Sequence, residues 1–211
     1  MTHIENILVC LAAPLVIAAL CMGKTQLRVL LFILAGMVSC LLSAYINTFF
    51  AALCGADTVQ AITGITPVVE EIMKILPLIF YLLVFEPKPE DIKTSTLIVA
   101  AGFATFENIC YLIENGAEDL SFLLIRGFGA GSMHIACGAI VGCGIVYMWR
   151  EPWLKFAGTG GLLVVAIGLH AVYNVLVVAG GTLQYLAYAL PLFTVVGSTL
   201  LPRLNRSSCS R

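Results

Sequence analysis

The chain has 211 residues, of which 60% are hydrophobic and only 11% are Asp, Glu, Lys or Arg. Soluble domains carry about 25% charged residues, so this composition, with a mean hydropathy of +1.01, excludes a soluble globular domain. A formal net charge of -1, without any polybasic stretch, also excludes a nucleic-acid-binding protein.

Apolar runs of roughly twenty residues, the length that crosses a hydrocarbon core of about 30 Å, recur along the chain. They predict an all-α, polytopic membrane helix bundle of about seven transmembrane helices in a single domain, residues 1–211. In chain order the predicted spans are Ile4 to Met22, Leu27 to Leu53, Ala61 to Phe85, Ser95 to Ile113, Phe122 to Met148, Ala157 to Ala179 and Leu183 to Leu201. Short connections rich in Gly, Pro and charged residues separate these spans.

The distribution of basic residues predicts the orientation of the bundle. Lys74 and Arg126 lie within spans, whereas all other Lys and Arg residues lie in alternate connections and the tail: Lys24, Arg28, Lys88, Lys93, Arg150, Lys155, Arg203, Arg206 and Arg211. The opposite connections carry acidic residues instead: Asp57, Glu114, Glu118 and Asp119. The positive-inside rule therefore predicts that the N-terminus lies outside and the C-terminus in the cytoplasm.

Polar side chains interrupt the spans where lipid is expected: Glu70, Glu71, Lys74, Glu107, Arg126, His134, His170 and Asn174. Each charge at bilayer mid-depth costs about 3 kcal/mol, so these side chains must face the bundle interior, paired or hydrated. With a rise of 1.5 Å per residue, Glu71, Glu107, His134 and His170 are predicted roughly 10 to 18 Å below the outer face. They would form one polar layer in a catalytic core of about residues 61–180.

Helical spacing refines this layer. Residues four apart share a helix face: His170 with Asn174, Glu107 with Tyr111, and Glu70 with Lys74. Adjacent Glu70 and Glu71 point about 100° apart, so one can enter a central site while the other pairs with Lys74. Small residues between Gly127 and Gly138 allow close helix approach, which would seat His134 at the centre of the bundle.

Carboxylates and imidazoles together can activate water in two ways. Glu70 or Glu71, desolvated in the bundle, is a candidate general base. Alternatively, two histidines and a carboxylate bind Zn²⁺ with one open position, and the predicted ligands are Glu107, His134 and His170. Asn174 is a candidate donor to a developing oxyanion. The predicted supporting residues are Lys74 and Arg126, as counter-ions, and Tyr111.

Four short motifs follow one another on consecutive predicted spans. They are E-E-x-x-K from Glu70 to Lys74, F-E-x-x-x-Y from Phe106 to Tyr111, H-x-x-x-G from His134 to Gly138 and H-x-x-x-N from His170 to Asn174. In this order they resemble the PrsW family of intramembrane proteases, which is distantly similar to the CAAX prenyl endopeptidases and Abi proteins. The resemblance covers about residues 67–174.

The resemblance implies hydrolysis of peptide bonds in or beside the bilayer of a bacterial cell membrane, with membrane-anchored protein substrates such as anti-sigma factors. The related prenyl proteases use a glutamate and two histidines to activate water, with an asparagine near the oxyanion. Glu107 stands where the F-x-x-x-H motif of that relative has histidine, which adds a carboxylate. A metalloprotease using Zn²⁺ and a metal-free glutamate protease therefore both remain open.

Two other classes of function compete with this interpretation. A proton- or cation-coupled transporter also places ionisable residues at mid-depth, but it is typically built from inverted repeats, and no second half repeats Glu70-Glu71. A non-catalytic scaffold or prenyl-binding relative is the third class. The enzymatic hypothesis requires that Glu71, Glu107, His134 and His170 converge in one pocket.

Overall fold

A computed structural model of the chain describes residues 4–116 and 120–208, without the side chains of residue 115 and of residues 196–208. The described part is helical, which confirms the predicted all-α class. The elements are α1 (Ile4–Cys21), α2 (Lys24–Cys54), α3 (Thr58–Gln60), a π-helical turn (Ala61–Ile65), α4 (Thr66–Phe85), α5 (Pro89–Asn115), α6 (Leu120–Met148), α7 (Pro152–Ala179) and α8 (Gly181–Ser208). Glu118, Asp119 and Arg211, which entered the orientation prediction, lie outside the described residues.

Several helices extend beyond the predicted apolar spans. α5 begins at Pro89 instead of Ser95, and α7 begins at Pro152 instead of Ala157. Proline is well suited to the first turn of a helix, where its missing N–H is not needed. The predicted spans counted only apolar residues, and the polar first turns continue the helices beyond them.

Within the described residues, five helical segments are long and apolar enough to cross a membrane: Ile4–Cys21, Lys24–Cys54, Pro89–Glu114, Leu120–Met148 and Pro152–Ala179. Large apolar side chains are exposed on these segments, such as Val9 on α1 and Phe156 and Val164 on α7, which are 64%, 86% and 68% exposed. α4 has 20 residues and differs from those five segments by holding Glu70, Glu71 and Lys74. The chain is therefore an integral membrane protein, and α4 buries three charged residues on its inward face.

Glycines allow α5 to pack very closely against two neighbours. A Cβ atom on Gly36 of α2 would lie 2.2 Å from the Val99 carbonyl oxygen, and one on Gly102 of α5 would lie 2.3 Å from the Ile33 carbonyl oxygen. On the other side of α5, a Cβ atom on Gly138 of α6 would lie 2.9 Å from the Ala100 side chain. Backbone-to-backbone packing of this kind holds α2, α5 and α6 in fixed positions around the polar layer.

Candidate active site

The polar segment of α4 follows an irregular helix start. Asp57 and Gln60 form a capping box, in which the Gln60 N–H donates to Asp57 Oδ1 at 2.8 Å and the Asp57 N–H donates to Gln60 Oε1 at 3.0 Å. The π-helical turn follows, and α4 then turns Glu70, Glu71 and Lys74 into the bundle, where all three are buried.

His170 of α7 contacts both adjacent glutamates of α4. Its Nδ1 atom lies 2.8 Å from Glu71 Oε1, and its Nε2 atom lies 3.8 Å from Glu70 Oε2. Glu71 Oε1 also accepts a hydrogen bond from Lys74 Nζ at 2.5 Å. Glu71 is thus held by two partners, whereas among the described residues Glu70 has only the longer contact with His170.

His134 of α6 lies between a lysine and a third glutamate. Lys74 Nζ lies 2.9 Å from His134 Nδ1, and His134 Nε2 contacts Glu107 Oε2 of α5. An ammonium group only donates, so Nδ1 accepts and Nε2 carries the proton that is donated to Glu107. The His134 and His170 rings are perpendicular, with centroids 5.2 Å apart, so four helices meet at this pair of imidazoles.

Arg126 of α6 contacts the second carboxylate oxygen of Glu107, the one that His134 does not contact. Its Nη2 atom lies 3.2 Å from Glu107 Oε1, and its Nη1 atom donates to Asn108 Oδ1. The guanidinium carbon lies 3.7 Å from the centroid of the Tyr111 ring, a cation–π contact. Sequence reasoning missed Asn108, although an amide beside Glu107 in an apolar span was a usable signal.

Asn174 lies one helical turn beyond His170 but points at backbone. Its Nδ2 atom donates to the Ile62 carbonyl oxygen in the π-helical turn at 2.9 Å. One of its two amide hydrogens is therefore engaged, and donation to an oxyanion stays a prediction for the other.

A cavity of about 270 Å³ reaches the polar layer from the end of the bundle where α1 begins and α5 ends. Glu70 and Glu107 both line it, together with Asn47, Tyr111 and Arg126. Glu71 instead lines a space of about 20 Å³ that it shares with Lys74. The cavity therefore gives water a route to Glu70 and Glu107, while Glu71 is enclosed.

These residues lie within the segment that a family model matches. A model described as PrsW family intramembrane metalloprotease matches residues 23–196. The chain belongs to the PrsW family. The match extends from α2 into α8 and is wider than the segment spanned by the four motifs. No curated protein and no solved structure matches the chain.

Membership of the PrsW family makes this chain an intramembrane peptidase by class. The polar layer is the place where such chemistry is supported, since two carboxylates that line a cavity, Glu70 and Glu107, contact buried imidazoles there. All the site residues predicted from the sequence lie in this layer or beside it; their individual roles stay predictions.

In the part of this PrsW chain that the structure describes, a metal ion would find one set of suitably spaced ligands. Glu70, His134 and His170 each offer a ligand atom, these atoms lie within 4.8 Å of one another, and all three residues are buried. The set predicted from the sequence had Glu107 in place of Glu70, but Glu107 contacts His134 and pairs with Arg126.

The chemistry of this ligand set fits a divalent cation. Glu71 fixes Nδ1 of His170 and leaves Nε2 facing Glu70, which is the carboxylate–histidine–metal arrangement common around zinc. Both ring nitrogens of His134 have partners, Lys74 and Glu107. Binding by His134 therefore requires that one of these two contacts opens.

Proposed function

We propose that this PrsW protein is an endopeptidase that hydrolyses peptide bonds of membrane-anchored protein substrates, within or beside the outer half of the bilayer. The observation that carries the proposal is the cluster of Glu70, Glu107, His134 and His170, in which both glutamates line one cavity and contact the buried histidines. Ionisable groups in a membrane are costly, and such a cluster is a functional site by default.

The α4 helix disfavours the transporter alternative. A relay for protons or cations needs polar groups that continue toward both faces of the membrane. Beyond Lys74, the buried residues of α4 are Ile75, Leu78 and Leu82. The buried face of α4 itself thus becomes apolar on one side of the site, as suits an enzyme with access from a single face.

Glu70 is our candidate general base. Glu71 is engaged by Lys74 and His170, and Glu107 by Arg126 and His134, so both are held as acceptors of strong hydrogen bonds. Glu70 has only the 3.8 Å contact with His170 and lines the cavity. It is therefore the carboxylate most available to take a proton from an attacking water.

Zn²⁺ is our candidate cofactor, with Glu70, His134 and His170 as the residues that would hold it. When bound, the ion supplies a Lewis acid that polarises the scissile carbonyl and acidifies water. Glu107 lines the same cavity as Glu70. In this metal-dependent alternative, in which Glu70 is a ligand, Glu107 is the carboxylate placed to accept the proton from water. Lys74 and Arg126 balance the negative charge of Glu71 and Glu107 in both the metal-free and the metal-dependent mechanism.

The finer topology also forms part of the proposal. We propose seven crossings in a bacterial cell membrane, adding α4 and α8 to the five apolar segments, with the N-terminus outside. The cavity then opens toward the outer face, as suits substrates such as membrane-anchored anti-sigma factors. An epitope fused after Arg211 would be digested by external protease only in permeabilised cells; digestion in intact cells would refute this orientation.

The central test is cleavage of a membrane-anchored fluorogenic peptide by purified protein. We expect Glu70→Gln, His134→Ala and His170→Ala each to lower kcat/KM by at least about a hundredfold, as removal of acid–base groups does. Glu90→Gln alters an exposed carboxylate far from the site, in the first turn of α5, and is the matched control. Equal cleavage by all the variants would refute a protease site here.

A further inference from the structure

The backbone just before α4 has a carbonyl group without a helical donor. The Thr66 N–H donates to the Ala61 carbonyl, five residues back, which is the π-helical register. The Ile62 carbonyl would next receive the N–H of residue 67, but residue 67 is proline and has none. Ile62 is therefore left without a backbone donor from Thr66 or from Pro67.

Asn174 of α7 supplies the missing donor. Its Nδ2 atom lies 2.9 Å from the Ile62 carbonyl oxygen, and only 9% of Asn174 is exposed. Backbone groups freed by proline in membrane helices are satisfied in this way by side chains of neighbouring helices. The pairing joins α7 to the π-helical turn that precedes the segment of α4 carrying Glu70 and Glu71.

α7 therefore holds this segment at two points. Asn174 fixes Ile62, and one turn earlier His170 contacts Glu71 at 2.8 Å and Glu70 at 3.8 Å. The π-helical turn contains one more residue per hydrogen-bonded turn than an α-helix. A change of register there would rotate the following residues by about 100° relative to the preceding ones.

We propose that Asn174 is a positioning residue. By completing the hydrogen bonding of the Ile62 carbonyl, which Pro67 leaves without a donor, it fixes the π-helical turn and thereby the direction in which Glu70 and Glu71 face His170. The inference rests on the proposed peptidase function. It assigns Asn174 a role other than donation to an oxyanion.

A double-mutant cycle tests this role. Pro67→Ala restores a backbone N–H at the position from which Ile62 lacks one, so it should make Asn174 dispensable. We expect Asn174→Ala alone to lower kcat roughly ten- to a hundredfold at nearly constant KM, and to lower it less than about threefold on the Pro67→Ala background. Thr159→Ala removes another partly buried hydrogen bond on α7, which Trp149 Nε1 donates to Thr159 Oγ1 at 3.1 Å, and is the control that should leave kcat unchanged.

Thermal unfolding of the same proteins provides a second cycle, which needs no activity. We expect Asn174→Ala to lower Tm in the wild-type background and to have little effect on Tm in the Pro67→Ala background.

Equal losses of kcat from Asn174→Ala in both backgrounds would overturn the inference and favour direct contact with substrate, even if the Tm values are coupled. Loss of all cleavage in Pro67→Ala would also overturn it. If the wild type itself does not cleave, the peptidase proposal fails, whereas additive Tm values would independently refute the Asn174–Ile62 pairing.

Discussion

Nδ1 of His170 lies 2.8 Å from Oε1 of Glu71, although 99 positions separate these residues along the chain. This contact joins α7 to α4 and sets the orientation of the imidazole ring. Glu71 also accepts a hydrogen bond from Lys74, so one carboxylate positions both the Lys74 ammonium and the His170 imidazole. Glu70, the preceding residue in the chain, lines the cavity.

Neutralising Glu70 and neutralising Glu71 should therefore have different effects on Tm and activity. Glu71→Gln leaves the buried Lys74 ammonium without its ion-pair partner, and breaking a buried pair costs about 3 kcal/mol or more. We expect a clear fall in Tm together with a loss of activity. Glu70→Gln should lose activity at an unchanged or higher Tm, since Glu70 has only the 3.8 Å contact with His170. Thermal unfolding in detergent would decide, and equal Tm losses for the two variants would contradict these roles.

Metal content separates the two chemistries that the site supports. We expect purified protein to contain about one Zn²⁺ per chain, His170→Ala to lose it, and a chelator to abolish cleavage until Zn²⁺ is restored. Glu90→Gln should keep its metal. Elemental analysis and cleavage would be measured on the same samples. Full activity in protein stripped of metal would instead assign the reaction to Glu70 alone.

The glycines between α2 and α5 should be intolerant of any side chain. A methyl group on Gly36 or Gly102 would lie within 2.3 Å of a backbone carbonyl oxygen, so the helices must separate. We expect Gly36→Ala and Gly102→Ala each to cost about 3 kcal/mol or more, as overpacking does. Gly161→Ala, where no atom lies within 4 Å of the new Cβ, should be neutral or slightly stabilising. A similar Tm for all three variants would show that this helix contact is loose.

Arg126 should not be replaceable by lysine. Its guanidinium contacts Glu107 and Asn108 through different nitrogens and stacks on Tyr111, a geometry that a single ammonium does not reproduce. We expect Arg126→Lys to lower kcat/KM about tenfold. Arg28→Lys is the matched control, because its pair with Asp91 is half exposed and such pairs contribute little. If the two variants have the same activity, Arg126 plays no part in holding Glu107.

The helical class and the polar layer followed from the sequence because both depend on strong energetic terms. Runs of apolar residues require lipid, and ionisable side chains such as Glu71 and His134 within those runs require burial. Both patterns can be identified in the sequence without knowing which helices contact each other. The four motifs indicated the PrsW family for the same segment, and the family model confirms it.

Finer features depend on helix rotation, which the sequence does not encode locally. The predicted ligand set had Glu107 beside both histidines, whereas Glu70 shares the close spacing with them. A rotation of a few tens of degrees decides between the two. The ligand role of Glu107 stays a prediction. The π-helical turn was not predicted, because one extra residue leaves the apolar pattern from Ala61 to Phe85 almost unchanged.

The position of α4 in the chain has a consequence for biogenesis. Glu70, Glu71 and Lys74 reach the insertion machinery before α6 and α7 have been synthesised, so the histidines that will neighbour them do not yet exist. The internal Glu71–Lys74 pair cancels part of this charge but leaves Glu70 without compensation. We therefore expect α4 to leave the translocon late, together with the helices that will enclose it.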